Sequence, residues 1–336
     1  MNAFQLYIAA HEPFWLGKNP SGILDQLLAT PNIKKSLKKC QPLLNGIEHS
    51  IITTYVKIIN SSLREAFSQL TYEDLLTPKG FISPAKASKT QSNYYMVCNA
   101  INDLVKFDIL QHDSSYASLN SLRRWIDIAD VLYRQGCYEG MNTIIATLNS
   151  SEFSRFDLFE LLPQEQQQRF EFFTNLISPV NNYIELRKLD GIYSNSKTML
   201  VMSLYIKDSI YIDAQIENTK FGKYEVLKPT NSMIPLIQKK IRLLSSVRAK
   251  QSLNIEPLNN IEQEIIAHHM QRLSLGIDYY QQATDAMHRF KCDIKKKASY
   301  KLYASTKFKF FANINENVGS DIGSEEDDQS KELLAI

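Results

Sequence analysis

The sequence predicts an almost entirely α-helical fold, and two observations carry that prediction. Apolar residues recur at three- and four-residue steps through most of the 336 positions. Glycine is rare, with 11 residues, and the sequence contains no glycine-rich phosphate loop of the Rossmann or Walker type. A nucleotide-binding α/β enzyme is therefore not expected. The length and the 44% hydrophobic content suffice for one large core or two smaller ones.

Charge and cysteine usage exclude several classes of protein. The net charge of +2 is too near balance for a general nucleic-acid binder. Four widely separated cysteines lack the paired spacing of zinc or redox motifs, so we expect reduced thiols in a cytosolic compartment: Cys40, Cys98, Cys137 and Cys292. The N-terminal apolar run is interrupted at residues 11–13 and has no basic start, so no signal peptide is expected. No run approaches the roughly 20 apolar residues of a membrane span.

The first half of the chain predicts a series of helices in order. Residues 47–70 place six apolar side chains on one face: Ile51, Tyr55, Ile58, Ile59, Leu63 and Phe67. Residues 77–93 hold two prolines and a glycine and predict a long loop. Helices are expected at 94–110 and, after a polar break at 111–120, from Ser121 to a stop at Gly136.

The second half continues the helical pattern. Residues 138–149 predict a helix, and Pro163 opens another at the first helical position, which proline favours. Residues 230–248 and 258–290 are again helical by period. The segment 198–215, "TMLVMSLYIKDSIYIDAQ", is harder to interpret. Its β-branched residues favour a strand, but it is too long for one and does not alternate cleanly.

The C-terminal part changes character twice. Residues 289–311 carry eight Lys or Arg against one Asp, interleaved with aromatic residues. Such a stretch is either a solvated helix face or a contact with an anionic membrane. The acidic end predicts disorder. The predicted organisation is a helical extension at 1–47, a main domain at 48–288, a basic aromatic helix at 289–312 and an acidic tail at 313–336.

Three ordered blocks carry a resemblance to a known family. The segment "LRRWIDIADVLYRQGCYEGMNTIIATLNSSEFSRF" resembles the catalytic domain of Ras-family guanine nucleotide exchange factors. The matching positions are Trp125, Ile126, Ile128, Ala129, Tyr138, Ile144, Leu148, Asn149, Ser150, Ser154, Arg155 and Phe156. The blocks "ISPVNNYIELRKL" and "LYIKDSIYID" follow at family-like spacing, and weaker likeness extends from about residue 50 to about 255.

The resemblance implies an all-α domain from which a helical hairpin projects and wedges between the switch regions of a small GTPase. The segment 198–215 then becomes one long helix of that hairpin. Ile210 matches an apolar position near the magnesium site, where an aliphatic group offers the cation no ligand. A family glutamate falls on Ala214, and Asp213 is the acidic residue that could replace it. Six residues are expected to contact the GTPase: Tyr138, Asn182, Tyr183, Arg187, Lys207 and Tyr211.

The implied function is GDP release from a host Ras-superfamily GTPase, which needs no cofactor and no catalytic base on the exchange factor. Departures from the family pattern at Cys137, Glu139 and Ala214 keep a second hypothesis open, a non-catalytic module or effector scaffold that only binds or localises a GTPase. Enzymatic activity therefore stays open. The acidic end "SEEDDQSKELLAI" also resembles the translocation signals of effectors that Dot/Icm-type IV secretion systems deliver, which implies a bacterial effector in the host cytoplasm.

Other interpretations of the same residues stay open at this point. By base rate Ile210 and Tyr211 would be core residues, while Asn182 and Tyr183 could be a helix cap and a surface aromatic. His268 and His269 would need further ligands to form a metal site. Without a histidine and an acid as partners, Cys137 is interpreted as structural.

Overall fold

The computed structural model describes residues 33–112, 115–154, 159–192, 198–220, 233–251 and 255–288. Its helices are α1 (Ile33–Ser68), α2 (Tyr72–Leu76), α3 (Lys89–Leu110), α4 (Ser115–Arg134), α5 (Tyr138–Leu148), α6 (Gln164–Leu176), α7 (Ile184–Ile192), α8 (Met202–Lys220), α9 (Met233–Lys250) and α10 (Asn260–Arg272). Residues 279–288 are also helical. The described residues contain one isolated β-bridge and no strand, which confirms the all-α prediction.

The core lies where α1, α3, α4 and α5 pack together, and α10 covers the far side of α3. All six residues predicted to face inward from 47–70 are buried. Trp125 of α4 is fully buried against α1 and α3. Its ring centroid lies 5.0 Å from that of Tyr55, and its Nε1 donates a 2.9 Å hydrogen bond to Asp108. The indole therefore joins three helices and satisfies its single donor.

Two helices begin earlier than the sequence pattern predicted. α3 starts at Lys89 rather than 94, because Ser88 and Gln91 form a capping box that satisfies the first backbone N–H groups. The predicted loop at 77–93 instead contains the 3₁₀ turns Pro78–Phe81 and Pro84–Lys86. α4 starts at Ser115, and the Ser118 hydroxyl donates to the Ile109 carbonyl at 2.8 Å, so polar residues of the predicted break stabilise the end of α3.

The long helix predicted at 258–290 is interrupted. α10 begins after an Asn259 cap, and the chain turns at Gly276, whose φ is +59°, before helix resumes at 279. Three side chains bind the buried Asp103 of α3: His269 through Nδ1 at 2.8 Å, Arg272 through Nε at 3.0 Å and the Tyr279 hydroxyl. His269 is thus engaged by a carboxylate. Within the described ranges, no group of three or more His, Cys, Asp or Glu could hold a metal.

The apolar segment at 198–215 is not helical throughout. Residues 198–201 are not helical, Met199 forms a β-bridge with Cys137, and α8 begins at Met202. The Met199 N–H donates to the Gly136 carbonyl at 2.8 Å, and the Tyr138 N–H donates to the Met199 carbonyl at 3.1 Å. Because these bonds use the backbone groups of Met199, the segment cannot join the helix. α8, which the resemblance implies is one helix of the projecting hairpin, packs against α9, and the connection between them lies outside the described residues.

The domain limits remain predictions. α1 is continuous across the predicted boundary between residues 47 and 48. One compact unit extends to Met287, and the second begins at His288. The basic helix at 289–312 and the tail at 313–336 lie outside the described residues. Among the helices that are described, none is both long and apolar enough to span a bilayer.

Candidate functional site

The N-terminus of α8 is anchored inside the core by a carboxylate. Glu139, in the first turn of α5, accepts a 2.7 Å hydrogen bond from the Met202 N–H. Burial raises the pKa of Glu139 to about 7, although the Met202 N–H opposes this shift by stabilising the charged form. A residue that departs from the family pattern thus fixes where α8 begins.

Cys137, two residues before Glu139, lies in the protein core. Its side chain is fully buried, and burial raises the pKa of the thiol to about 11. A thiol with such a pKa holds almost no thiolate near neutral pH and is a poor nucleophile. The structural interpretation of Cys137 therefore agrees with its position.

A turn of three left-handed residues precedes α7. Asn181, Asn182 and Tyr183 have φ values of +50°, +59° and +59°. Asparagine tolerates this region, but for a residue such as tyrosine it costs about 1–2 kcal/mol. Strained backbone persists where neighbouring groups hold it, and it is concentrated at functional sites. Val180 and Ile184 flank the turn with exposed side chains.

Arg187 holds this turn against α8. Its Nη1 and Nη2 atoms donate to the two carboxylate oxygens of Asp208, each at 2.7 Å, while its Nε donates to the Asn182 carbonyl at 2.8 Å. The planar guanidinium suits this paired geometry. One side chain therefore links the left-handed turn to the helix predicted to be the wedge.

A second contact joins the same two elements at the surface. The Lys207 ammonium lies 5.0 Å from the centroid of the Tyr183 ring, within the range of a cation–π interaction. Lys207 is exposed and Tyr183 is half-buried. Four of the predicted contact residues are therefore neighbours: Asn182, Tyr183, Arg187 and Lys207.

The outer face of α8 exposes apolar groups. Tyr211 is 60% exposed, which excludes the core alternative for this residue. Ile210 is partly exposed, and the buried isoleucine of this turn is Ile212, at 1% exposure. Ala214 faces solvent one turn beyond Ile210. An exposed aromatic and a partly exposed isoleucine on one helix form a surface suited to a protein partner.

Two of the predicted site residues have environments that the sequence did not indicate. The Asp213 carboxylate forms an ion pair with Lys240 of α9, so it is engaged within the helix pair. Tyr138 is only 5% exposed, and its ring lies 6.0 Å from that of Tyr133. The structure therefore does not bring Tyr138 to the surface that holds Tyr183 and Lys207.

A pocket of about 260 Å³ separates the α8–α9 pair from the rest of the site. Its walls include Tyr138, Leu186, Arg187, Leu204, Asp208 and Val247. The Arg187–Asp208 pair closes one side of it. Packing there is incomplete, so contacts outside the pocket help to hold the helix pair: the Glu139 anchor, the Arg187–Asp208 pair and the 2.6 Å hydrogen bond from the Tyr205 hydroxyl to the Leu75 carbonyl.

Sequence reasoning missed the partner of Arg187 and the role of Glu139. Arg187 and Asp208 lie 21 residues apart, and nothing in a single sequence pairs them. A signal for Glu139 existed, because an acidic residue in the middle of an apolar stretch needs a partner when it is buried. That partner, a backbone N–H, has no signature in the sequence.

Comparison with known proteins gives one finding. No curated protein matches the chain significantly. A sequence model of the RasGEF domain matches residues 56–234, which contain α2 to α8 and the last 13 residues of α1. This range covers more than half of the chain and includes the left-handed turn, Arg187 and the exposed face of α8. The chain therefore belongs to the RasGEF domain family.

Proposed function

We propose that this protein promotes GDP release from a host Ras-superfamily GTPase by inserting the exposed face of α8 beside the nucleotide. The observation that carries the proposal is the pairing of an open apolar helix face with a rigid support. Ile210 and Tyr211 reach solvent, while Glu139 and Arg187 hold the same helix from behind. A wedge needs both features, because a loosely held helix would yield rather than displace a switch region.

Exchange requires no covalent chemistry on this chain. A protein that binds the nucleotide-free GTPase more tightly than the loaded GTPase must weaken nucleotide binding by the same factor. The proposed docking surface combines Asn182, Tyr183 and Lys207 with Tyr211. Tyr138 would support this surface indirectly, because its side chain forms part of the wall of the pocket.

Ile210 is the residue proposed to act at the magnesium site. Its aliphatic side chain supplies no oxygen ligand and excludes water, so its insertion should lower the affinity of the GTPase for Mg²⁺. Asp213 could reach the same region only by exchanging Lys240 for a new partner. We therefore assign Ile210 the larger effect of the two.

The test is release of fluorescent GDP from Ras, Rap, Ral and Rab proteins at substoichiometric amounts of this protein. Wild type should accelerate release from at least one GTPase, and Ile210→Asp should lower that rate by a factor of ten or more. Ile261→Asp is the matched control, since Ile261 is an exposed isoleucine on α10. Equal rates for wild type and Ile210→Asp would refute the wedge role.

A non-catalytic binding module is the second candidate. Ala214 replaces the family glutamate, and Lys240 engages Asp213, so no unpaired carboxylate stands beside Ile210 on α8. A binding module would capture nucleotide-free GTPase without accelerating release. Capture together with an unchanged release rate across the panel would favour this candidate over the exchange factor.

Delivery to a host cell and contact with its membranes are proposed from the C-terminal sequence. The acidic cluster before the apolar end supports secretion, and the basic aromatic residues 289–311 support binding to anionic lipid. Fusion to a translocation reporter, with and without the last residues from 324 onward, tests the first. Failure of the intact fusion to reach the host cytoplasm would overturn it.

A further inference from the structure

The C-terminal end of α2 accepts hydrogen bonds from both helices of the α8–α9 pair. The last carbonyls of a helix have no partner inside that helix, so other groups must satisfy them. The Leu75 carbonyl accepts a 2.6 Å bond from the Tyr205 hydroxyl of α8. The Leu76 carbonyl lies 3.5 Å from Nζ of Lys240 on α9, which also pairs with Asp213. Both helices are therefore bonded to the same short element.

α2 is itself fixed to α3 by buried polar groups. The Asp74 carboxylate is 4% exposed and accepts bonds of 2.7 Å from the Thr71 N–H and 2.6 Å from the Thr90 hydroxyl. Nε2 of Gln91 donates to the carbonyls of Asp74 and Thr77 at 3.0 and 3.3 Å. Buried polar networks whose members are hydrogen-bonded make a structure rigid. The carbonyls at the end of α2 therefore have a well-defined position relative to the core.

The Tyr205 side chain lies on the side of α8 that faces away from Ile210. Five positions of helix separate the two residues, which turns their side chains about 140° apart. Tyr205 is 2% exposed, and burial raises its pKa to about 12, so the hydroxyl keeps its proton near neutral pH and donates. A phenylalanine would fill the same space, but only the hydroxyl can bond a particular carbonyl of α2. This bond therefore fixes the position of α8 behind its exposed face.

We infer that α2 positions the exposed face of α8, and that Tyr205 is a positioning residue for Ile210. The pocket beside the α8–α9 pair leaves the packing incomplete, whereas a hydrogen bond to a fixed carbonyl has a preferred distance and angle. The inference rests on the proposed exchange function, because it assigns to α2 the alignment of the face that enters the GTPase. A misplacement of about 1 Å can lower the rate at a reacting site about a hundredfold.

The test compares Tyr205→Phe with Tyr279→Phe in the full-length protein. Each variant removes a hydroxyl that bonds an acceptor in the protein, but the Tyr279 hydroxyl bonds Asp103 of α3 instead of α2. In steady-state GDP release, kcat should be about fivefold lower or more for Tyr205→Phe, while KM stays within about twofold of wild type. KM is kept because the turn at Asn182 and Tyr183 still docks. Tyr279→Phe should have the kcat of wild type.

Gln91→Met is a second variant, which changes the support of α2 and keeps every side chain of α8. Gln91 bonds α2 and the Ser88 N–H at the start of α3. This variant should also lower kcat with little change in KM. Combined with Tyr205→Phe, it should lower kcat by less than the product of the two separate effects, because both changes break the same connection.

Hydrogen exchange of the protein alone separates this inference from the exchange function. Amides of α8 should exchange faster in Tyr205→Phe, whereas Tyr279→Phe should affect α10 and residues 279–288. Unchanged protection of α8 in Tyr205→Phe would overturn the inference whether or not a GTPase substrate is found.

The kinetic outcomes divide in the same way. Faster opening of α8 with an unchanged kcat would remove the positioning role and leave the proposed exchange function intact. Absence of GDP release by wild type on every GTPase would remove both. Equal decreases of kcat in Tyr205→Phe and Tyr279→Phe would mean a general loss of stability and would contradict the inference.

Discussion

The carboxylate of Glu139 lies 2.7 Å from the backbone nitrogen of Met202, a residue 63 positions further along the chain. This bond places a titratable group at the first turn of the helix that bears Ile210. Its neighbours on α3 include Tyr94, which is buried, and Cys98, which is partly buried. The start of α8 is therefore sensitive to charge in the core.

The first prediction concerns pH. The pKa of Glu139 rises from 4.5 to about 7 on folding, so its contribution to stability is complete below the unfolded pKa and is lost as the pH rises to about 7. The loss amounts to about 3 kcal/mol. Glu139→Gln keeps an acceptor for the Met202 N–H without the charge. In urea unfolding, the free energy of unfolding of this variant should therefore increase relative to that of wild type between about pH 5 and about pH 8.

The comparison between variant and wild type at each pH cancels the other titrating groups. A difference in unfolding free energy that stays the same at both pH values would contradict the assignment. Ala146→Gln is a suitable control, because Ala146 is an exposed position on α5.

The second prediction concerns the link between the turn and α8. Asp208→Asn and Arg187→Lys each break the paired contact, and both residues are about one-third exposed, so each should cost only about 1 kcal/mol of stability. The rate of nucleotide exchange should decrease by more than this small loss of stability explains, because the left-handed turn loses its support. A double-mutant cycle in both readouts checks this. Additive effects on exchange would show that the pair does not act as a unit.

The third prediction concerns Gly136. Its φ is +72°, and a Cβ at this position would lie 2.9 Å from Cγ2 of Thr198. Gly136→Ala should therefore cost more than the roughly 1 kcal/mol expected from the left-handed backbone alone. Gly276→Ala is the matched control, since φ there is +59° and no atom lies within 4 Å of the added Cβ. Thermal unfolding of the two variants, and of Gly136→Ala with Thr198→Ser, measures the difference.

If Gly136→Ala and Gly276→Ala lower the free energy of unfolding by the same amount, the contact with Thr198 contributes nothing to the loss. Partial recovery in the Thr198→Ser background is the expected result, because serine removes the methyl group while the strained φ remains.

The fourth prediction concerns Asp103. Burial opposes its charge, but hydrogen bonds from His269, Tyr279 and Arg272 together hold its pKa below the ordinary value. Its contribution to stability is present above the unfolded pKa and is lost as the pH falls through the lower folded pKa. Asp103→Asn removes the carboxylate that pairs with the mostly buried Arg272 guanidinium and should cost about 3 kcal/mol. Hydrogen exchange should reveal faster opening of α10 and residues 279–288 than of α4.

The exposed Asp285 provides a comparison for that experiment, since it accepts a hydrogen bond from Gln281 at the surface. Asp285→Asn should change stability by only a few tenths of a kcal/mol. Equal losses for the two aspartates would mean that the buried network does not fasten the C-terminal helices.

The sequence predicted the helices with strong apolar periodicity and missed what depends on long-range contacts. The helix at 138–149 matches α5, because Met141, Ile144, Ile145 and Leu148 all face the core. The start of α3 was wrong because Ser88 and Gln91 cap a polar first turn that carries no apolar signal. The break at Gly276 was hidden in an otherwise helical period.

For the candidate site too, the sequence indicated the residues but not their long-range contacts. The resemblance to the family predicted that the turn at Asn182 and Tyr183 and the face with Ile210 and Tyr211 belong to the site. It did not predict which residues surround them. The structure adds the groups that hold them, which are contributed by residues distant in sequence. Asp208 and Lys240 could not be paired with Arg187 and Asp213 in advance, because a surface charge has many possible partners and only the fold selects one.

The bridge between Cys137 and Met199 has a consequence for the order of folding. α4, the turn at Gly136 and α5 are adjacent in sequence, so they can assemble after closing only short loops. Met199 must then close a loop of about 60 residues before Met202 can start α8, which is entropically slower. We therefore expect α8 to form last among these elements, so that the surface that bears Ile210 is absent from early folding intermediates.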